Sequence, residues 1–75
     1  MSEFSKQTEL EILEVLIDES PRDVMEITNV VDGHPITIDQ TCAQLHNEGC
    51  IVSLGRGLYE ITDAGEHRLE IQHDS

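Results

Sequence analysis

Apolar residues in the first two thirds of the chain recur every three or four positions, which is the spacing of one face of an α-helix. In the first such stretch, Thr8 is followed three residues later by Glu11, which is typical of a capping box. Its apolar positions are Leu10, Leu13, Leu16 and Ile17. The pattern predicts a first helix over residues 8–19.

A second helix is expected to follow directly. Ser20-Pro21 predicts the end of the first helix and the start of the second, because Ser caps helix N-termini and Pro suits the first helical turn. Gly33 is expected to end this helix as a C-terminal glycine. Its apolar stripe consists of Val24, Ile27 and Val31.

The third helix is predicted over residues 37–48. His34-Pro35 is a break before it, because Pro biases the preceding residue away from the helical region, and Gly49 closes the helix. The inward residues, at i, i+4 and i+7, are Ile38, Cys42 and Leu45. The outward face is then Thr37, Gln40, Thr41, Gln44 and Asn47 or Glu48.

Residues 50–61 change to the pattern of a β-hairpin. Residues 50–54 are rich in β-branched and apolar side chains, Gly55-Arg56-Gly57 supplies a turn, and residues 58–61 alternate apolar with polar. Thr62-Asp63 then introduces a fourth helix, from Ala64 to about residue 73. The order helix, helix, helix, strand, strand, helix predicts one mainly α domain over residues 1–75 with a small β-hairpin, a winged helix-turn-helix.

The composition is strongly acidic. Sixteen Asp and Glu residues against four Lys and Arg give a formal charge of −12. This opposes nucleic-acid binding, because phosphate contacts depend on Lys and Arg. With this complement of Ile, Leu and Val the chain is not typical of disorder, and two interpretations stay open: a halophilic surface screened by molar salt, or an acidic protein that binds a basic partner.

The acid is unevenly distributed. The only charged residues between positions 36 and 59 are Asp39, Glu48 and Arg56, so these 24 residues carry −1 of the total charge of −12. The third helix and the hairpin thus carry fewer acidic residues than the rest of the chain, although chance can produce such a difference in a short chain.

The lack of a recognisable targeting signal and the low number of cysteines favour a cytoplasmic protein. The N-terminus has no basic and apolar signal-peptide regions, and no apolar run is long enough to span a bilayer. Two cysteines are too few for a disulfide framework, and both are expected to be reduced. A chain of 75 residues has a thin core, so a partner subunit is expected.

Two runs of residues resemble winged-helix repressors. They are Leu45-His46-Asn47-Glu48-Gly49-Cys50-Ile51 and Gly57-Leu58-Tyr59-Glu60-Ile61-Thr62-Asp63-Ala64-Gly65, which are similar to the end of a recognition helix and the wing that follows it. Within these proteins the chain most resembles the phage phiH repressor-like proteins of haloarchaea. The resemblance implies a sequence-specific DNA-binding transcriptional regulator that acts as a repressor. The chain departs from the pattern in having no Lys or Arg on the third helix.

The candidate DNA-binding residues are on the third helix and the hairpin tip. Amide side chains pair with adenine and Thr can meet a thymine methyl, so readout would fall to Gln40, Thr41 and Gln44, with Asn47 beside them. Thr37 would lie near a phosphate at the helix N-terminus. Arg56, between two glycines, would enter a narrow minor groove. The alternatives are an ordinary solvated helix face and a turn with one solubilising charge.

Other chemistry has weaker support. Cys42, His46 and Cys50 form a C-x3-H-x3-C run, but zinc needs a fourth ligand and Gly49 turns Cys50 off the helix, so no metal and no cofactor are expected. Cys42 and His46 could form a nucleophile and base, but a chain this short offers little pocket, and no enzyme activity or small-molecule substrate is expected.

The expected partners are double-stranded DNA and a second copy of the chain. The terminal helices, with Phe4, Leu69 and Ile71, could form a homodimer or could simply pack on the core. The alternative function is a winged-helix module for protein interaction or dimerisation that does not bind DNA.

Overall fold

The described part of the chain forms four helices and three short strands. The computed structural model describes residues 3–31 and 33–74, and the side chains of residues 6–31 and 33–71. The helices are α1 Glu3–Asp18, α2 Val24–Val30, α3 Pro35–Asn47 and α4 Asp63–Asp74. The strands are β1 Arg22–Asp23, β2 Ile51–Gly55 and β3 Leu58–Ile61. The predicted mainly helical chain with a small β-hairpin is therefore present at this coarse level.

The core lies where the apolar faces of the helices meet β2. The side chains with at most 2% exposure are Ile12, Leu13, Leu16, Ile27, Ile38, Cys42, Leu45, Cys50 and Ile51. Val31 and Leu69 complete the same cluster. The helical spacing in the sequence thus identifies most of the core, whereas Ile17, which belongs to the apolar series of the first helix, is 46% exposed.

The sheet joins the hairpin to a strand that precedes α2. Its order is β1-β3-β2, and both pairs are antiparallel. Arg22 lies opposite Tyr59, and Ile51 lies opposite Ile61. The sequence pattern does not predict β1, because its two residues have no periodicity and become a strand only by pairing with residues far along the chain.

The predicted N-termini of α1 and α2 are wrong. Helix α1 already includes residue 3, and Thr8 is a buried interior residue, one turn before buried Ile12. No helix breaker precedes Thr8, so the capping-box pattern there does not mark an end. Helix α2 is capped by Asp23 instead of Ser20, and the Asp23 carboxylate accepts a hydrogen bond from the Met25 amide at 2.7 Å.

The predicted junction between α2 and α3 also needs correction. Helix α2 ends at Val30 with an extended cap residue, Val31, so Gly33 is not its C-terminal glycine. Helix α3 begins at Pro35, two residues before the predicted start. Pro35 occupies the first turn, where its fixed φ suits the helix, and the ring nitrogen Nδ1 of His34 accepts a hydrogen bond from the Ile36 amide at 3.3 Å.

Gly49 and Thr62 lock the end of α3 to the start of α4. Gly49 has φ +82°, and the Cys50 amide donates to the Leu45 carbonyl at 2.9 Å, which forms the glycine stop that the sequence predicts. The Thr62 hydroxyl contacts the Gly49 and Cys50 carbonyl oxygens at 2.6 and 2.9 Å, and it accepts from the Gly65 amide at 3.1 Å. One side chain therefore caps α4 and fixes it against the end of α3.

The net charge predicts that folding depends on salt. The molecule measures 34 × 25 × 21 Å, and the screening length is about 30 Å at 0.01 M salt but about 3 Å at 1 M. At low salt the acidic side chains therefore repel one another across the whole molecule. We expect circular dichroism to lose helical signal on dialysis to a few millimolar salt and to regain it in molar salt. An unchanged spectrum would contradict a halophilic surface.

Candidate nucleic-acid interface

Helix α3 separates an apolar face from a polar one. Ile38, Cys42 and Leu45 are fully buried, as their spacing predicts. The side chains of Thr37, Gln40, Gln44 and Asn47 are exposed. Four of the five candidate residues on this helix thus lie at the surface, in positions from which a side chain can reach a partner.

Thr41 does not belong to this exposed face. Its side chain is 3% exposed, and its hydroxyl donates a hydrogen bond to the Thr37 carbonyl at 2.7 Å. Thr41 lies three residues after Ile38 and four before Leu45, so it falls on the buried side of the helix. The prediction that Thr41 reads a base is therefore wrong, and its spacing to these two residues was the sequence signal for burial.

The hairpin tip presents Arg56 on a tight two-residue turn. Gly55 pairs with Leu58, so Arg56 and Gly57 form the tip, with φ values of +55° and +78°. Positive φ at both central residues is what a type I′ turn requires. The Gly57 carbonyl accepts from the Val24 amide at 2.9 Å, which ties the base of the tip to α2. Arg56 itself, rather than only its glycine neighbours, adopts the left-handed conformation.

The arginines differ in whether a carboxylate neutralises them. Arg22 forms ion pairs with Glu19 and, at 3.8 Å, with Glu26. Arg68 forms ion pairs with Glu48 and Glu9. Within the described side chains, Arg56 has no carboxylate within 4.0 Å and is exposed. Among the arginines, Arg56 therefore has the guanidinium most available to an external anion.

A cluster around Arg68 links three helices. Its guanidinium contacts the Glu48 carboxylate at the end of α3 and lies 3.5 Å from Glu9 of α1. The hydrogen bond from Arg68, followed by one from Gln44, lowers the pKa of Glu48. Burial, followed by repulsion from Glu48, raises the pKa of Glu9. Arg68 therefore pairs mainly with Glu48, and Glu9 is the weaker partner.

Cys42 and His46 do not form a reactive pair. Cys42 is fully buried and His46 is exposed. Burial, with a smaller effect from Asp39, raises the pKa of the Cys42 thiol to about 11. This is opposite to the lowered pKa of a nucleophilic cysteine. Among the described residues there is also no group of three or more His, Cys, Asp or Glu side chains that could hold a metal ion.

A cleft of about 460 Å³ lies between α1 and α2. Its acidic lining is opposite in charge to what a phosphate backbone needs. A second cleft, of about 350 Å³, lies beside the Arg68 cluster. The first is lined by Glu11, Glu14, Val15, Asp18, Val30 and Val31.

Two exposed apolar residues beside the polar ones were not predicted. Ile36, on the first turn of α3, is 61% exposed next to Thr37, and Leu54, near the hairpin tip, is 52% exposed. Apolar side chains can contact the methyl group of thymine in the major groove. Ile36 lies outside the buried i, i+4, i+7 series of α3, which was the signal for its exposure.

No protein-family model, curated protein or solved structure compared with the chain matches it. Within the described residues, no helix is long and apolar enough to cross a membrane. The likeness to winged-helix repressors thus rests on the residues quoted for it and on the order of helices and strands.

Proposed function

We propose that this chain is a winged helix-turn-helix protein that binds double-stranded DNA and regulates transcription as a repressor, without enzyme activity. Helices α2 and α3 would form the helix-turn-helix, and β2 and β3 the wing. The observation that carries the proposal is the exposed Arg56, which has no carboxylate partner among the described side chains and lies at the tip of a hairpin that follows a polar, acid-poor helix. A recognition helix and a wing need these two surfaces.

In this proposal α3 enters the major groove. Gln40 and Gln44 are exposed amides, which pair with the N6 and N7 edge of adenine. Asn47 lies one turn further along and offers the same chemistry. Thr37, near the N-terminus of the helix, would contact a phosphate where backbone amides favour an anion. Ile36 beside it is suited to a thymine methyl.

The acid of the chain is compatible with this function in a high-salt cytoplasm. Salt screens the repulsion between acidic side chains and phosphates, and Asp39 and Glu48 are the acidic residues in the sequence between positions 36 and 59. With one or two phosphates neutralised per subunit, log K should fall by about 0.9 per phosphate for each decade of salt. This shallow dependence leaves binding possible at molar salt.

The proposal predicts that Gln44→Ala changes sequence preference. Duplexes selected by the wild type from a random library at molar salt should share a short motif, and the variant should lose the preference at one position of it. Gln7→Ala is the matched control, because Gln7 also donates to a glutamate four residues later at 3.3 Å but lies on α1. Recovery of random sequence by the wild type would contradict the proposal.

A second copy of the chain is the partner that we propose for binding two half-sites about 34 Å apart. Leu69 is buried in its own core, and Ile71 of α4 is 52% exposed. The side chain of Phe4 lies outside the described residues. Sedimentation velocity at molar salt checks this proposal. A protein that is monomeric at micromolar concentration and also binds a palindromic duplex as a single copy would contradict it.

The alternative is a module that binds a basic protein. The observation in its favour is the acidic cleft between α1 and α2, with Glu11, Glu14 and Asp18 in its lining. Charge reversal of Glu14 to Lys separates the two functions. It should abolish binding of a basic partner but leave binding of DNA by α3 and the hairpin in place.

A further inference from the structure

The amide of Gln44, on the polar face of α3, begins a series of side-chain contacts that continues through Glu48 and Arg68 to Glu9. Its Nε2 donates to Oε2 of Glu48 at 3.3 Å. The other carboxylate oxygen, Oε1, accepts from Arg68 on α4. Arg68 in turn lies 3.5 Å from Glu9 on α1. Both ends of the Glu48 carboxylate are therefore occupied.

This arrangement differs from an ordinary surface pair at i and i+4. Gln7 and Glu11 on α1 have the same spacing and the same 3.3 Å distance, but the described side chains give Glu11 no cation within 4.0 Å. An isolated pair of this kind stabilises a helix only weakly. Glu48 is held by Arg68, and the side chains of both are only about one third exposed.

The chemistry of the two groups fixes the orientation of the amide. An ionised carboxylate can only accept hydrogen bonds, whereas an amide has a donor end and an acceptor end. The NH2 group of Gln44 must therefore face Glu48, and its carbonyl oxygen must point elsewhere. One N–H and the carbonyl remain for a base edge. One donor and one acceptor complement adenine, but guanine presents two acceptors in the major groove.

We propose that Glu48, anchored by Arg68, is a positioning residue that fixes the amide of Gln44 so that it selects adenine against guanine. This inference rests on the proposed function and deepens it. A carboxylate beside DNA opposes binding of any sequence, because it repels phosphate. Glu48 is therefore expected to sharpen sequence preference at the expense of affinity.

The test uses Glu48→Gln with Glu11→Gln as the matched control, since each removes one negative charge from a Gln-Glu pair of the same geometry. Affinity is measured at molar salt for the selected duplex and for one with guanine at the adenine that Gln44 reads. We expect wild type to prefer adenine by roughly tenfold or more. Glu48→Gln should reduce this preference to below about threefold while binding both duplexes as tightly as wild type or more tightly. Glu11→Gln should keep the preference.

Several results would overturn the inference. An unchanged preference for adenine in Glu48→Gln overturns the inference but not the proposed function. An equal loss of affinity for both duplexes does the same, because it indicates a merely structural role of Glu48. Absence of wild-type binding to any duplex overturns the proposed function together with the inference. Side-chain amide relaxation of the free protein adds a readout without DNA. The Gln44 amide should be more ordered than that of Gln40, and Glu48→Gln should remove the difference.

Discussion

Replacing Gly65 with alanine is expected to lower the free energy of unfolding by about 3 kcal/mol or more, because the new methyl group has no room. A Cβ at this position would lie 2.2 Å from the Cys50 carbonyl oxygen and 2.8 Å from Cγ1 of Ile61. The carbonyl cannot retreat easily, since it accepts from the amide and the hydroxyl of Thr62 at 3.0 and 2.9 Å.

The sign of this effect is informative. Helix propensity alone predicts that Gly to Ala in a helix stabilises by about 1 kcal/mol, so a large destabilisation can come only from the contact. A domain of this size has a total stability of about 4 to 11 kcal/mol, which makes the loss a large share of it.

Urea unfolding followed by circular dichroism at molar salt measures the change at Gly65. The control is Gly33→Ala, because Gly33 has an ordinary φ and the nearest atoms to its Cβ are in the Ile38 side chain, at 3.7 Å. It should be neutral or slightly stabilising. Equal midpoints for the two variants would contradict the close packing of α4 against the end of α3.

Replacing Arg56 with asparagine is expected to weaken binding to every duplex by about tenfold at molar salt, because a charge-assisted contact is lost. Asparagine is the suitable replacement, since it tolerates the positive φ of +55° at this position better than most residues. The hairpin should therefore keep its shape while it loses its charge. Since the contact is with the phosphate backbone or the minor groove, the base pairs that α3 prefers in the major groove should not change.

Lys6→Gln is the matched control for Arg56→Asn, because Lys6 is an exposed cation on α1 and its loss changes the net charge by the same amount. Fluorescence anisotropy titration of labelled duplexes compares the two variants. Equal affinities for both variants and wild type would show that the hairpin tip does not contact DNA.

Local patterns predicted the parts of the fold that depend on neighbouring residues. The spacing of Ile38, Cys42 and Leu45 identified the buried face of α3, and Gly49 marked its end because a left-handed residue is needed there. The same reasoning failed for β1, whose pairing partners lie in β3. It also failed at Thr8, where a capping pattern lies inside a longer helix.

The candidate interface could be predicted only in part. The exposure of Gln40 and Gln44 follows from helical periodicity, whereas Thr41 was assigned to the wrong side because its spacing of three and four residues to Ile38 and Leu45 was not used. The Arg68 cluster was not predictable, since Arg68 is 59 residues from Glu9 and 20 from Glu48. The sequence already singles out Arg56, and the structure adds that Arg22 and Arg68 are paired with carboxylates.

An amide-detected nuclear magnetic resonance titration with a selected duplex at molar salt tests most directly whether α3 and the hairpin bind DNA. We expect the largest shift changes at Thr37, Gln40, Gln44, Asn47 and Arg56. Glu11, Glu14 and Asp18, which line the acidic cleft, should change little. Changes that concentrate at the cleft, or no change at saturating duplex, would contradict DNA binding through α3 and the hairpin.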